Sequence, residues 1–425
     1  MIYYVKVQDA KIELERKTDM SEIILNSGQE ELVYQMTEWY NNFRNKLTTK
    51  QWFCYGGAAG TGKTTVLKEF INRVNLTPEQ YKTCAYVGKA VLVLARHGLP
   101  ACTIHKLIYH TFAEKEEPDP ENPYFRPKIK PRFVLREKLD EALELICIDE
   151  YRMVDDNMIR NILSYGKPVI FMGDENQLPP IFGDSTIIKP DFYLTQPMRQ
   201  SYDSNIILLA NRILDGERFE LMDTPDAKVV DRIEFGQNLL TDYDIIITSK
   251  NKTREYFNRL IREELIGRTS ELPVYNDKLI CRQNDWSNEV NDIGLCNGMV
   301  GFVTGYDKST INKGFMKMSF KPEFMDAEYE DCKLDYKYFK CDPEERAKYG
   351  LSKYHKFEYG YAITTHLSQG SEYGRVLYIR EPWGDNLMRK QLDYTAVTRA
   401  RDSITVVRDL PSILEDRLAA KMWSV

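Results

Sequence analysis

The segment GGAAGTGKTT holds the spacing G-x-x-x-x-G-K-T, running from Gly57 to Thr64 with Gly60, Thr61, Gly62 and Lys63 inside it. Glycines here let the backbone turn tightly and aim N–H groups at phosphate oxygens, and a helix beginning at Lys63 adds positive potential at its N-terminus. Lys63 is then placed to reach the β and γ phosphates of a nucleotide, and Thr64 to set its hydroxyl on Mg²⁺. Such a loop needs a metal-holding acid on a neighbouring strand, and LELICIDE supplies Asp149 at the end of an apolar run with Glu150 directly after it. Adjacent acids at a strand end can divide two tasks: Asp149 holds the ion through its water shell, while Glu150 orients and deprotonates the attacking water. Taken singly, these motifs also describe a glycine-rich turn with a surface lysine and an exposed acidic strand end. Their pairing in one chain is what argues for phosphate chemistry.

The elements that must position these residues are legible in the hydrophobic pattern. Trp52 to Tyr55, Thr83 to Val87, Leu143 to Ile148 and Val169 to Met172 are short apolar runs bounded by turns, as expected of buried parallel strands. After Lys63, the apolar residues Val66, Leu67, Phe70, Ile71 and Val74 keep a helical period, so one helix face packs on the sheet. The texture returns with Ile245 to Thr248, a helix over Thr253 to Leu265, Val376 to Ile379, a helix through Met388 to Arg399, and Ile404 to Val407. Between its parts, near 275 to 356, Leu279, Ile280, Met299 to Thr304 and Phe315 to Phe320 alternate with turn residues and predict a small β-rich insertion. Residues 111–131 carry five prolines and a block of charge, which predicts a second insertion that is neither a core helix nor a core strand.

At 425 residues the chain exceeds one ordinary core, so two to four domains are expected. Its 43% hydrophobic and 29% charged residues exclude a disordered chain. With 58 basic against 64 acidic residues and a net charge of -6, bulk charge does not announce a nucleic-acid partner. A protein that slides along a polyanion needs only a local basic groove. The eight cysteines are scattered without a C-x-x-C pair and read as reduced thiols, and Cys332, Cys341 and His355 fit no common zinc spacing. No stretch of about 18 apolar residues occurs, so a cytoplasmic protein with no membrane partner is expected.

Several blocks, in order, resemble superfamily 1 DNA helicases, in particular the RecD-like and phage Dda-like group that moves 5′ to 3′. The resemblance covers almost the whole chain. It implies an α/β fold of two RecA-like P-loop domains with parallel sheets, a short wedge insertion in the first and a small β-barrel insertion in the second. The implied division is 1–20 as an N-terminal segment, 21–185 as the first motor domain with 111–131 as the wedge, 186–274 and 357–425 as the second, and 275–356 as the inserted barrel, whose strand-turn segment is NDIGLCNGMVG. In LNSGQ, Gln29 matches the glutamine that reads adenine, and Thr61 and Thr65 complete the nucleotide loop. AYVGKAV resembles A-P-T-G-K-A, carrying over Gly88 and Lys89 as DNA contacts, while Tyr86 and Val87 depart from the pattern.

Thr103 and His105 match the T-x-H block and are implied to meet the DNA strand. GDENQLPP, LTQPMRQ and YTAVTRA resemble further blocks of the family, which implies that Gln177 senses the γ-phosphate and that Arg199 and Arg399 point across a cleft at it. YAITTHLSQGSE resembles T-x-H-x-S-Q-G-x-E, placing Thr364, His366 and Ser368 near DNA and Gln369, Gly370 and Glu372 near nucleotide. Leu367 stands where relatives carry lysine. The wedge region offers Phe112, Tyr124 and Phe125 as aromatics that could stack on a base pair, or as incidental residues of a surface loop.

The resemblance implies a DNA-stimulated ATPase and helicase that uses ATP and Mg²⁺. Its expected partners are single-stranded DNA, single-strand/duplex junctions and candidate replication or recombination proteins, with a monomer as the working state. Other classes are a P-loop phosphotransferase, a single-strand translocase without unwinding, and a binding scaffold with a dead nucleotide site. The last conflicts with the filled positions Lys63, Thr64, Asp149, Glu150, Gln177, Arg199 and Arg399. On this reading Lys63→Ala or Glu150→Gln slows phosphate release from ATP by at least about 100-fold, while fluorescence anisotropy shows single-strand binding largely intact. Wild-type turnover in either variant would sink the site.

Overall fold

A computed structural model describes residues 24–115, 129–179, 188–196, 204–231, 238–290, 293–323, 325–350, 352–381 and 383–408. The expected N-terminal segment 1–20, the wedge aromatics Tyr124 and Phe125, and Arg199 lie outside the described residues. The first described helix, α1 (Ser27–Arg44), opens on a reciprocal cap. Asn26 accepts from the Gln29 N–H and Gln29 from the Asn26 N–H, satisfying two end donors at once. Along the chain follow β1 (Trp52–Gly57), α2 (Lys63–Arg73), β2 (Tyr81–Ala85), α3 (Gly88–Arg96), β3 (Ala101–Thr103), α4 (Ile104–Ile108), the strand pair β4 (Tyr109–Lys115) and β5 (Ile129–Leu135), β6 (Leu145–Asp149), α5 (Asp156–Leu163), β7 (Val169–Gly173) and β8 (Phe192–Leu194).

Six of these strands form one parallel sheet in the order β3-β2-β6-β7-β1-β8. Successive residues point to opposite faces, and each face has its own core. Phe53, Tyr55, Leu145, Cys147, Ile170 and Met172 pack with α1, α2 and α3. Cys54, Ile146, Ile148, Val169 and Phe171 pack with α5. A sheet covered on both faces needs apolar side chains at every position, which is why its strands appear as unbroken apolar runs.

The second half contributes α6 (Asn205–Leu214), β9 (Met222–Asp223), β10 (Ala227–Val230), β11 (Ile245–Thr248) and α7 (Asn251–Arg259). After them come β12 (Lys278–Cys281), β13 (Asp285–Val290), β14 (Ile293–Leu295), β15 (Val300–Asp307), β16 (Phe315–Pro322), β17 (Tyr329–Asp335) and β18 (Phe357–Tyr359). The chain then runs through β19 (Ala362–Thr364), α8 (Thr365–Ser368), β20 (Tyr373–Ile379), α9 (Asn386–Val397) and β21 (Ala400–Val407). A second six-stranded sheet has the order β19-β11-β20-β21-β10-β9 and is parallel except at β9. Strands β17, β16, β15, β12 and β18 form a separate antiparallel sheet, with β13 and β14 as a two-stranded ribbon beside it.

Several boundaries differ from those read in the sequence. The strand expected at Thr83 to Val87 ends at Ala85, because Gly88 already begins α3 and Tyr86 and Val87 form the turn. The first sheet extends past residue 185: β8 pairs with β1, so the start of LTQPMRQ belongs to it. Likewise β18 pairs with β12, carrying the antiparallel sheet past residue 356 to Tyr359. Its edge strand β17 meets the residues just before β18 through one isolated bridge, Leu334 with His355, where the Asp335 N–H donates to the His355 carbonyl (2.8 Å) and the His355 N–H to the Lys333 carbonyl (2.7 Å). The proline-rich stretch is flanked by true strands, β4 and β5, which pair as a two-stranded ribbon rooted on the α5-side core through Tyr109. Among the described residues no helix is long and apolar enough to cross a membrane.

One contact ties the second sheet together at its C-terminal edge. Helix α7 begins after Lys250, which provides no side-chain cap. Buried Glu381, beyond the end of β20, accepts instead from the Ser249 N–H (3.0 Å), the Lys250 N–H (2.9 Å) and the Thr253 hydroxyl. A carboxylate at a helix N-terminus with charge-assisted bonds is a strong anchor. Glu381→Ala leaves these donors unmatched and lowers stability by about 3 kcal/mol, read as the shift of a urea unfolding midpoint; a shift within error would show that the clamp contributes nothing.

Candidate functional site

The phosphate loop runs from the C-terminal end of β1 into the first turn of α2. Gly60 and Gly62 lie in left-handed backbone (φ 75° and 77°), a conformation glycine adopts without steric cost. No side chain caps α2, so its first N–H groups remain available to an anion. The Lys63 ammonium donates to the carbonyls of Gly57 (2.7 Å) and Ala58 (3.2 Å), and the Thr61 hydroxyl donates to Ala58 (2.8 Å). Gln29 reaches the same loop, its amide N–H donating to the Thr61 carbonyl at 2.8 Å. Its amide oxygen already serves the helix cap, so Gln29 shapes the loop with both ends of its amide engaged.

Asp149 closes β6, and the Glu150 N–H donates to its carboxylate at 2.9 Å. Burial and the neighbouring Glu150 charge push the Asp149 carboxyl up to about 7, while Lys63 and, from the other sheet, Arg399 pull it down. A carboxylate held among these charges suits a divalent cation, whose charge would replace the missing compensation. Thr64 and Asp149 are hard oxygen donors of the kind Mg²⁺ takes alongside phosphate oxygens and water. Glu150 itself sits in left-handed backbone (φ 50°, ψ 44°). For a residue with a side chain this costs about 1–3 kcal/mol and is found where function over-determines geometry.

The second sheet presents α8 and α9 directly to this loop. Tyr394 of α9 is fully buried; its hydroxyl accepts from the Ala59 N–H of the phosphate loop (2.8 Å) and donates to Asp174 (2.7 Å) in GDENQ. Next to it, the Thr395 hydroxyl accepts from the Leu178 N–H (3.0 Å), and Gln369 donates to the Leu178 carbonyl (2.9 Å). Gln177 is buried beside Asp174, with only a long 3.4 Å contact to its carboxylate. Arg399 is buried, bonded to the carbonyls of Thr395 and Ser371 and to the Thr398 hydroxyl, and close enough to act on Asp149. Tyr394 and Thr395 were missed in the sequence although they stand in the YTAVTRA block, because an apolar helix face hides a hydroxyl meant for another domain.

The residues expected on a DNA track are placed less simply. Thr103 and Thr364 are N-caps, their hydroxyls accepting from the Lys106 and Leu367 N–H groups. Ser368 is fully buried and donates to the Thr365 carbonyl, so its hydroxyl is turned inward rather than toward a strand. Lys89 is buried with its ammonium on the Leu367 carbonyl across the cleft, and burial pulls it down to about 7. Gly88 lies so close to Cys296, just after β14, that a Cβ would meet its sulfur at 2.6 Å. His105 is ringed by Tyr86, Tyr109 and Phe133, and His366 meets Trp383 edge-on. Burial lowers both histidines, favouring neutral imidazoles. Gly370 packs on Val87 and Ala90, and Glu372 lines a small cavity with Lys89 and Arg96. Those contacts are to the α3 region, for two residues expected near the nucleotide. Phe112 is 54% exposed on β4.

Residues 43–183 match the AAA domain family and residues 359–407 the UvrD-like helicase C-terminal domain. The chain is 24% identical over 376 residues to the ATP-dependent RecD2 DNA helicase of Deinococcus radiodurans, covering 81% of this chain and 45% of that protein. It is 24% identical over 452 residues to an uncharacterized protein of Methanocaldococcus jannaschii, covering 85% of this chain and 37% of the other. The chain thus spans less than half the length of these two curated relatives. Two solved structures share its fold. One shows two coordinating Pif1 helicases at forked duplex DNA (TM-score 0.53, 18% identity, 95% of this chain and 98% of that one). The other is Bacteroides Pif1 bound to single-stranded DNA (TM-score 0.51, 17% identity, 94% and 97%).

The Tyr394 hydroxyl offers a direct test of the cross-cleft geometry. Tyr394→Phe keeps the ring and deletes two hydrogen bonds that together contribute about 1.5–2 kcal/mol to the closed arrangement. The closed/open equilibrium should fall about 13- to 30-fold, and ATP turnover at saturating nucleotide by up to that factor; unchanged steady-state turnover would show that closure does not use this bridge.

Proposed function

We propose that this chain, which belongs to the superfamily 1 helicases of the RecD, Pif1 and Dda type, is an ATP-dependent DNA helicase that moves along single-stranded DNA and unwinds duplex ahead of it. The observation that carries this reading is the bridge from the phosphate loop through Tyr394 to α9, with Arg399 on the same block acting on Asp149. Hydrolysis chemistry at one sheet and the arginine of the other are joined through one buried interface, so a change in the nucleotide is felt as a change in how the two sheets sit.

The roles follow from position. The loop from Gly57 to Thr65 holds the phosphates, Lys63 neutralises their charge, and Glu150 orients the attacking water. When bound, Mg²⁺ would be held by Thr64 and Asp149 and would offset charge on the phosphate oxygens. Arg399 stabilises the transferring phosphoryl group from across the cleft, with Arg199 as its proposed partner and Gln177 relaying the state of the γ-phosphate. Gly370, beside Val87 and Ala90, and Glu372, which lines a cavity with Lys89 and Arg96, are proposed to act on the nucleotide side through α3.

The two parallel sheets serve as the motor domains, with 21–194 as the first and 195–274 and 360–425 as the second. The antiparallel sheet between them is the inserted domain of the second motor. The β4–β5 ribbon, with exposed Phe112, is proposed as the wedge at the fork. Closure on ATP and reopening after hydrolysis move the pair along one strand, in the 5′ to 3′ sense.

Strand displacement on duplexes with a 5′ or a 3′ single-stranded tail tests the proposal. ATP-dependent displacement is expected from the 5′-tailed substrate only. Displacement from the 3′ tail alone would reverse the polarity, and none from either with DNA-stimulated ATPase intact would leave a translocase.

A further inference from the structure

Between the base of the β4–β5 ribbon, α4 and the β13–β14 ribbon lies a cavity of about 240 Å³. Its wall on the first sheet's side carries His105, Lys106, Tyr109, Phe112 and Arg136, and its far wall carries Glu289. Cations and aromatic rings alternate around it, the mixture that suits an anionic ligand bearing a planar base. Two features make it more than a surface dent. The Arg136 Nε is buried without a hydrogen-bond partner, while its terminal nitrogen donates weakly to the Lys106 carbonyl at 3.4 Å. A buried guanidinium N–H left unmatched marks a place where an acceptor belongs.

The second feature is the ion pair of Lys106 with Glu289, which spans the cavity from α4 to β13. Both side chains are more than a third exposed, so the pair is screened and contributes little to folding. It is therefore a weak tie that a stronger anion can replace.

We propose that this cavity receives one nucleotide of a single strand, its phosphate drawing Lys106 away from Glu289 and completing Arg136, and its base lying against Phe112. The inference rests on the DNA-binding reading above and adds to it a specific exchange: Glu289 holds the cation in the free protein, and phosphate takes it in the complex. The α4 region and the β13–β14 ribbon are thus tied to each other without DNA and tied through DNA with it. Glu289 is an internal competitor for the strand.

The test is fluorescence anisotropy of a labelled oligothymidylate over a range of salt concentrations, with the full chain and no nucleotide. Lys106→Ala should weaken binding about three- to tenfold and reduce the slope of log K against log salt by about 0.7, one fewer single-strand phosphate contact. Glu289→Gln should tighten binding by up to about fivefold, because the exposed pair that it removes contributes no more than that. Phe112→Ala should weaken binding about tenfold with the slope unchanged, since stacking releases no counterions. Glu289→Gln binding equally or more weakly overturns the exchange, and an unaltered slope in Lys106→Ala overturns the phosphate contact. If the wild type itself fails to bind the oligonucleotide, the helicase reading falls with it; wild-type binding with unchanged variants sinks the cavity alone.

Discussion

A single buried hydroxyl fixes how the two halves of this molecule meet. Tyr394 accepts from the phosphate-loop backbone at Ala59 and donates to Asp174, so it touches the loop and the GDENQ turn of the first sheet while rooted in a helix of the second. A buried tyrosine needs partners for its O–H, and here both lie across the cleft. Burial and the Asp174 charge raise the phenol, which keeps it protonated and able to donate. The bonds of Thr395 to the Leu178 N–H and of Gln369 to the Leu178 carbonyl extend the same seam. Because one seam uses the backbone of the nucleotide loop itself, neither sheet can shift without disturbing the geometry that holds phosphate.

Buried cations continue the seam on its other side. Lys89 sits within reach of Arg399 and Glu150 and is held low by burial, with Arg399 disfavouring its charge and Glu150 favouring it. Arg399 in turn acts on Asp149. Four chemistry-bearing residues from two sheets therefore share one electrostatic environment, in which the gain or loss of a phosphate charge alters all of them together.

Much of the frame was legible because burial on both faces writes a strand as an apolar run and the phosphate loop as a glycine pattern. The four strands of the first sheet nearest the site and the helix after Lys63 stand where periodicity put them, within a few residues. What was illegible has physical causes. Phe192–Leu194 is too short to show alternation, so its membership of the first sheet emerges only from pairing with β1. Pro131 looked like a breaker, yet it stands opposite Ala113 in a two-stranded ribbon, where an edge position tolerates a missing N–H. The inward-turned Ser368 hydroxyl could not be told from an outward one by spacing. Gln29 was read as a base reader, and its capping of α1 and hold on Thr61 depend on a chain fold that brings residues 29 and 61 together.

The two sheets carry the same device at the same place. In the first, edge strand β3 ends in Thr103, which caps α4, and His105 follows two residues later. In the second, edge strand β19 ends in Thr364, which caps α8, and His366 follows at the same interval. Each threonine spends its hydroxyl on the local turn, so what this repeated block presents outward is the histidine: neutral, set among aromatic rings in one case and against Trp383 in the other. A neutral imidazole beside an aromatic face meets a nucleobase by stacking and hydrogen bonding and leaves phosphate charge to other residues. Under the proposed function the two blocks would act as equivalent grips on two bodies joined by one seam, because a change in the seam would alter the spacing between them while leaving each block unchanged.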